Sequence, residues 1–173
     1  APSTTSKYDR LIARAKQVPS VKTVVAHPCD ESSLRGPIEA AEAGIITPIF
    51  VGPKEKISVV ARTARINIDK FEIVDAPHSD AAAAKAVELI REGKGEVLMK
   101  GSLHTDELMR AVTSSQTGLR TARRISHVFV MDVPTYPETL GKEPAPQRYS
   151  LLSLDGTLLA AVGGYVAWAP LKN

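Results

Sequence analysis

Five short apolar runs rich in β-branched residues, separated by segments of helical period, constrain this chain more than any other feature of its sequence. The runs are 22–27, 45–51, 71–75, 96–100 and 127–132, each of strand length and bounded by Gly, Pro or polar residues. Between them lie helix signals. Asp30, Ser32 and Ser33 offer N-caps to a helix through 39–43 that Gly44 stops, and Pro53 opens a helix reaching Arg65. Ser79 and Asp80 cap an Ala-rich helix over 81–91, closed by Gly93 and Gly95, and 105–112 reads as a further helix. An amphipathic helix from Ser6 to Val18, with Tyr8, Leu11, Ile12 and Ala15 at spacings of three and four, precedes them all. Strands alternating with helices through short loops predict a three-layer α/β/α fold with a mostly parallel, doubly wound sheet. Pro48, inside the second run, predicts an edge position or a bulge for that strand, because proline has no ladder N–H to give.

The pattern changes after Pro134. Residues 135–148 hold Pro137, Pro144 and Pro146 with Gly141 and several charges, the composition of a linker. Beyond it, 149–154 and 157–162 flank Asp155-Gly156, a strong short-range hairpin signal, and Gly163-Gly164 precedes a further strand at 165–168. The expected organisation is an α/β domain over 1–134, a Pro-rich linker over 135–148 and an antiparallel, hairpin-like C-terminal tail over 149–173.

Composition narrows the function classes. Of 173 residues 43% are apolar and 24% charged, which suits a soluble globular protein, and no apolar stretch approaches the ~20 residues of a membrane-spanning helix. The N-terminus shows no apolar signal region, so a cytoplasmic protein without a membrane partner is expected. Cys29 is the only cysteine, which excludes an intrachain disulfide framework and any multi-cysteine metal centre. His27-Pro28-Cys29-Asp30 does not make a ligand set by itself, and no metal is expected. The net charge of +3 suits anionic ligands. No nucleic-acid partner is expected, because the arginines at 120, 123 and 124 have no aromatic residues among them.

The segment 100–107 (KGSLHTDE) falls where the fourth strand's carboxyl end turns into a helix, the place where open α/β sheets bind ligands. Lys100 brings a positive charge, Gly101 allows close backbone approach, Ser102 and Thr105 bring hydroxyls, and the helix start presents N–H groups to an anion such as phosphate. The same spacing also suits a purely structural cap at Thr105, with Asp106 and Glu107 complementing the helix dipole. His104 is a weak candidate for general acid or base work, since its ordinary pKa lies near neutrality. Arg123 and Arg124 form a second cluster able to clamp phosphate, or simply a solvated basic turn.

Segments 97–112 (VLMKGSLHTDELMRAV) and 123–131 (RRISHVFVM), with 24–27 (VVAH) and 39–52 (EAAEAGIITPIFVG), resemble the first half of the phosphate acetyl/butyryl transferases. The resemblance covers roughly residues 7–134. It implies a two-domain α/β/α architecture and exchange of an acetyl or butyryl group between coenzyme A and inorganic phosphate. Coenzyme A, acyl phosphate and phosphate would be substrates, with no bound cofactor, and self-association into a homo-oligomer is left open. By the same resemblance the 100–105 turn lines an interdomain cleft, and Arg110 matches an arginine used near phosphate or coenzyme A. Lys100, Gly101, Ser102, Thr105, Arg110, Arg123 and Arg124 are thus the substrate-binding candidates. The family's catalytic aspartate, serine and arginine belong to its second half, and no position here carries them. The expected activity is therefore incomplete in this chain, and a non-catalytic phosphate- or coenzyme A-binding module is the alternative.

Overall fold

The computed structural model describes residues 7–121, 159–162 and 165–168. In chain order the elements are α1 (Lys7–Ala15), β1 (Val21–Ala26), α2 (Glu31–Glu42), β2 (Ile46–Gly52), α3 (Lys54–Ala64), β3 (Glu72–Asp75), α4 (Ser79–Arg91), β4 (Val97–Lys100), α5 (Thr105–Thr113), β5 (Leu159–Val162) and β6 (Tyr165–Trp168). Their sheet order is β3-β2-β1-β4-β6-β5. The first four strands pair in parallel, with Val24 opposite Ile49 on one side and Leu98 on the other.

Period-two alternation explains the layering. Val24, Ala26, Val51 and Leu98 turn to one face, where they meet Ala82, Ala83, Ala86 and Val87 of α4 and Leu108 and Val112 of α5. Val25, Phe50, Val97 and Met99 turn to the other, against Leu34 and Ile38 of α2 and Ile57 and Ala61 of α3. Both faces are therefore covered, as an all-parallel set requires. Phe50, Leu34 and Ile57 are fully buried, and each such side chain stabilises the fold by about 1.5–3 kcal/mol relative to exposure.

The setting of Pro48 and the cap of α4 differ from the sequence reading, and each has a local cause. Pro48 predicts an edge or bulged strand, yet β2 lies between β1 and β3. Ile45 and Val51 give their carbonyls to β1 and Gly52 gives its carbonyl to Ala76 beyond β3, so residues of Pro48's parity face β3. The β3 ladder begins only at Ile49, so the absent N–H of Pro48 leaves no partner unpaired. At α4 the N-cap is His78, whose Nδ1 accepts the Ala81 N–H at 3.2 Å, in place of Ser79 or Asp80. The expected capping by Asp30 is present: its carboxylate accepts the Ser33 N–H at 2.7 Å.

The strand expected at 127–132 and the hairpin arm at 149–154 lie outside the described residues. In the tail β5 pairs antiparallel with β6, Val162 opposite Tyr165, and β6 extends the sheet beside β4 with Leu98 opposite Trp168. The hairpin that the structure describes is thus built on 159–162 and 165–168, with Gly163-Gly164 between them in the sequence.

Candidate functional site at the carboxyl ends of β1 and β4

The strand order reverses between β1 and β4. From β1 the chain runs outward to β2 and β3 with α2 and α3 on one face, then returns by α4 on the other face to place β4 beside β1. The loops leaving β1 and β4 therefore diverge to opposite faces, and the strand ends between them are the switch point at which open α/β sheets bind ligands. Residues 27–30 form one wall and residues 101–104 the other.

Backbone contacts lock the two walls together. The Gly101 N–H donates to Ala26 O at 2.8 Å and the Ser102 N–H to His27 O at 2.9 Å. A Cβ at Gly101 would lie 2.3 Å from Ala26 O and 2.5 Å from His27 O, so only glycine fits. What approaches Gly101 closely is the β1 backbone. The Ser102 hydroxyl donates to His27 O at 2.8 Å, accepts the Cys29 N–H at 3.1 Å, and lies 3.1 Å from His27 Nδ1. His27 itself adopts φ 56, a left-handed conformation unusual for a residue with a side chain.

The helix start beside this turn is organised by Glu107. Its carboxylate accepts the Ser79 hydroxyl and the His104 N–H, both at 2.8 Å, joining α5 to the first turn of α4. These donors, the Ser79 hydroxyl first, hold the Glu107 carboxyl below the usual glutamate range. Three amides of the expected anion cradle, those of residues 101, 102 and 104, are consequently engaged within the protein. His104 and Thr105 are exposed, His104 at the N-cap and Thr105 at the first helical position.

Charge is unevenly placed around the switch point. Lys100 is half-buried, donates from Nζ to Gly101 O at 3.3 Å and acts electrostatically on Asp30. Burial opposes the charge on Asp30, but the Ser33 amide and hydroxyl and the Ser32 hydroxyl outweigh it and set the carboxyl below its ordinary pKa. Burial lowers the pKa of His27 and Lys56 adds to the effect, while burial pushes the Cys29 thiol up to about 11. Arg110 sits apart on an exposed face: its guanidinium lies 3.5 Å from Asp80 and 3.7 Å from Asp106. Of the sequence-derived candidates, Lys100, Gly101 and Ser102 come together with the β1 loop, Thr105 borders them, Arg110 turns to two carboxylates, and Arg123 and Arg124 lie outside the described residues.

Sequence reasoning gave neither His27 nor Glu107 a part in this site: it set His27 aside as one member of an insufficient ligand set and read Glu107 as a complement to the helix dipole. Glu107 was legible as the fourth member of a capping-box spacing that starts at His104. His27 had one signal only, its position immediately after a buried strand.

No family model matches the chain. It is 66% identical over 139 residues to phosphate acetyltransferase of Rhizobium meliloti, covering 80% of this chain and 44% of that protein. It is 45% identical over 131 residues to phosphate acetyltransferase of Rickettsia typhi, covering 76% and 38%, and 36% identical over 133 residues to phosphate butyryltransferase of Clostridium beijerinckii, covering 77% and 44%. The chain therefore spans less than half the length of these curated relatives. Among solved structures it is similar in fold to a phosphotransacetylase from Streptococcus pyogenes, with a TM-score of 0.52 at 14% identity over 60% of this chain and 41% of that one. A phosphotransacetylase from Staphylococcus aureus gives a TM-score of 0.51 at 16% identity, covering 65% and 44%.

Proposed function

From the premise that this chain is a partial-length relative of the phosphate acetyl/butyryl transferases, we propose that it forms the coenzyme A- and phosphate-facing part of an acyltransferase of that kind. The reaction is exchange of an acetyl or butyryl group between coenzyme A and inorganic phosphate: the thiolate sulfur attacks the acyl carbonyl, and the bond to the phosphate oxygen breaks. The observation that carries the reading is 66% identity to a phosphate acetyltransferase through 80% of the chain, in a fold whose strand order reverses between β1 and β4.

Within this reading Lys100 and Thr105 face the anionic groups, Gly101 and Ser102 shape the turn that carries them, and Arg110, Arg123 and Arg124 add positive charge. Arg110 must leave Asp80 and Asp106 to do so, and their carboxylates hold it ready at the edge of α5. The domain spans residues 1–134, followed by a linker over 135–148 and the antiparallel tail. Among the described residues no helix is long and apolar enough to cross a membrane; the cytoplasmic setting is proposed from the coenzyme A chemistry.

Titration of the labelled chain with coenzyme A and with acetyl phosphate, followed by amide resonances, tests the site. Shifts beginning at residues 100–105 are expected; shifts confined to other parts of the chain would remove it. A thioester-formation assay on the same material tests the chemistry. Coenzyme A-dependent thioester formation from acetyl or butyryl phosphate supports acyl transfer, and binding of both ligands without it favours a non-catalytic binding module.

A further inference from the structure

The Ser102 hydroxyl has one hydrogen and two lone pairs, and three groups surround it. It stands 2.8 Å from His27 O, and two oxygens so close need a hydrogen between them; the hydroxyl is the only one of the pair that has it. Its lone pairs remain for the Cys29 N–H at 3.1 Å and for His27 Nδ1 at 3.1 Å. Nδ1 must then carry a hydrogen. The network fixes a neutral His27 in the Nδ1–H form, which leaves Nε2 with a bare lone pair.

The His27 residue is 9% exposed, and Nε2 has no partner among the described residues, where no buried side-chain nitrogen or oxygen stands unpartnered. The groups that act on the ring are Lys56 in the first turn of α3, Glu107 in the first turn of α5, the His27 backbone itself and Asp30 at the cap of α2. Desolvation and Lys56 favour the uncharged ring, Glu107, the hydrogen bond to the His27 backbone and Asp30 oppose them, and the balance is toward the neutral form. The backbone at φ 56 is a left-handed conformation whose strain glycine would avoid, and such strain clusters where a side chain is needed at one place.

We propose that His27 is a substrate-contacting residue whose Nε2 accepts a hydrogen bond from the thiol of coenzyme A, and that Ser102 is the positioning residue that fixes its tautomer. Lys100 and the helix starts suit the anionic ends of the substrates; an unprotonated ring nitrogen suits an uncharged donor, and the reacting thiol is the one that must come to the acyl carbonyl. The inference rests on the acyl-transfer reading for the identity of the ligand, whereas the tautomer follows from the geometry alone.

Long-range nitrogen–proton correlation spectra of the 173-residue chain, labelled in histidine, read the tautomer directly. A protonated Nδ1 and bare Nε2 are expected, and Ser102→Ala should let the Nε2–H form appear. Coenzyme A should shift the Nε2 resonance, and desulfo-coenzyme A, which lacks the thiol, should bind without doing so. His27→Asn tolerates the left-handed backbone and offers a carboxamide N–H to Ser102 but has nothing in place of Nε2. It should keep the fold and lose the discrimination between the two ligands. An Nε2–H ring in the wild-type chain, or an Nε2 resonance unmoved by coenzyme A bound at residues 100–105, overturns the proposal while leaving the acyl-transfer reading intact. Absence of coenzyme A binding anywhere, with the tautomer as expected, overturns both the ligand assignment and that reading.

Discussion

Gly101→Ala is the most informative single perturbation of the site. The added methyl would meet Ala26 O at 2.3 Å, His27 O at 2.5 Å and the His27 carbonyl carbon at 2.6 Å, all backbone atoms of a buried strand end. Cβ atoms essentially never come nearer than 3.0 Å, so β1 and the β4 turn must part by several tenths of an ångström. That displacement stretches the bonds from Gly101 N–H to Ala26 O and from Ser102 N–H to His27 O, and loosens the hydroxyl latch at 2.8 Å. Three hydrogen bonds at a net ~0.5–1.5 kcal/mol each, partly retained by relaxation, give a loss of about 2–4 kcal/mol. For a domain of this size that lowers the melting temperature by roughly 4–16 °C. Gly44→Ala is the control: φ there is +77 and nothing lies within 4 Å, so only left-handed strain of about 1–2 kcal/mol applies. Thermal and urea unfolding of both variants decides the matter. If Gly101→Ala were no less stable than Gly44→Ala, the close approach of the two loops would be wrong as described.

Other consequences follow from the same contacts. Because the Glu107 carboxyl lies below its ordinary pKa of 4.5, its contribution is complete above that value and is lost as pH falls through the lower folded value; Glu107→Gln should flatten the acid limb of urea midpoint against pH, and an unchanged limb would refute the role given to Ser79 and His104. With the Cys29 thiol raised from 9.0 to about 11, its thiolate is about a hundredfold scarcer at pH 8 in the native chain than in the unfolded one; reaction with a disulfide reagent at the denatured rate would contradict its burial. Arg110→Ala removes only exposed ion pairs, so unfolding free energy should change by less than ~1 kcal/mol, and a larger loss would show a structural arginine. Leu34→Ala empties a fully buried position under β1 and should cost about 2–5 kcal/mol by urea unfolding; a smaller cost would mean that α2 packs more loosely than described.

The parallel part of the fold was legible because two signals agree at each element. Residues 24–26 are β-branched or small and end at a histidine and a proline, and the Ala-rich run after Ser79 has both period and caps, so strand and helix follow without tertiary knowledge. Pro48 misled because the rule about proline concerns a missing donor, and whether a donor is needed depends on where the neighbouring strand starts. Ile49, not Pro48, is the first residue opposite β3. Cap identity at α4 was also misplaced by one residue, since histidine can accept an amide hydrogen bond through Nδ1 although serine and aspartate are the usual choices.

The site divides along a similar line. Its β4 wall was legible from local sequence: a lysine, a glycine and two hydroxyl residues between a strand and a helix are a ligand-binding signal whatever else surrounds them. Its β1 wall was not, because Ser102 and His27 are 75 residues apart and meet only when strand order places β1 beside β4. The meaning of Gly101 changes for the same reason. Sequence logic reserves the space beside a strand-end glycine for a ligand, and here the carbonyls of Ala26 and His27 fill that space. With the turn held by its own backbone, the groups that the proposed reading leaves to meet a ligand are Nζ of Lys100, the hydroxyl of Thr105 and Nε2 of His27. In that reading the contact with substrate falls to a side chain that local pattern alone assigns to a strand end, and the hydroxyl that holds its ring is one that local pattern assigns to the substrate.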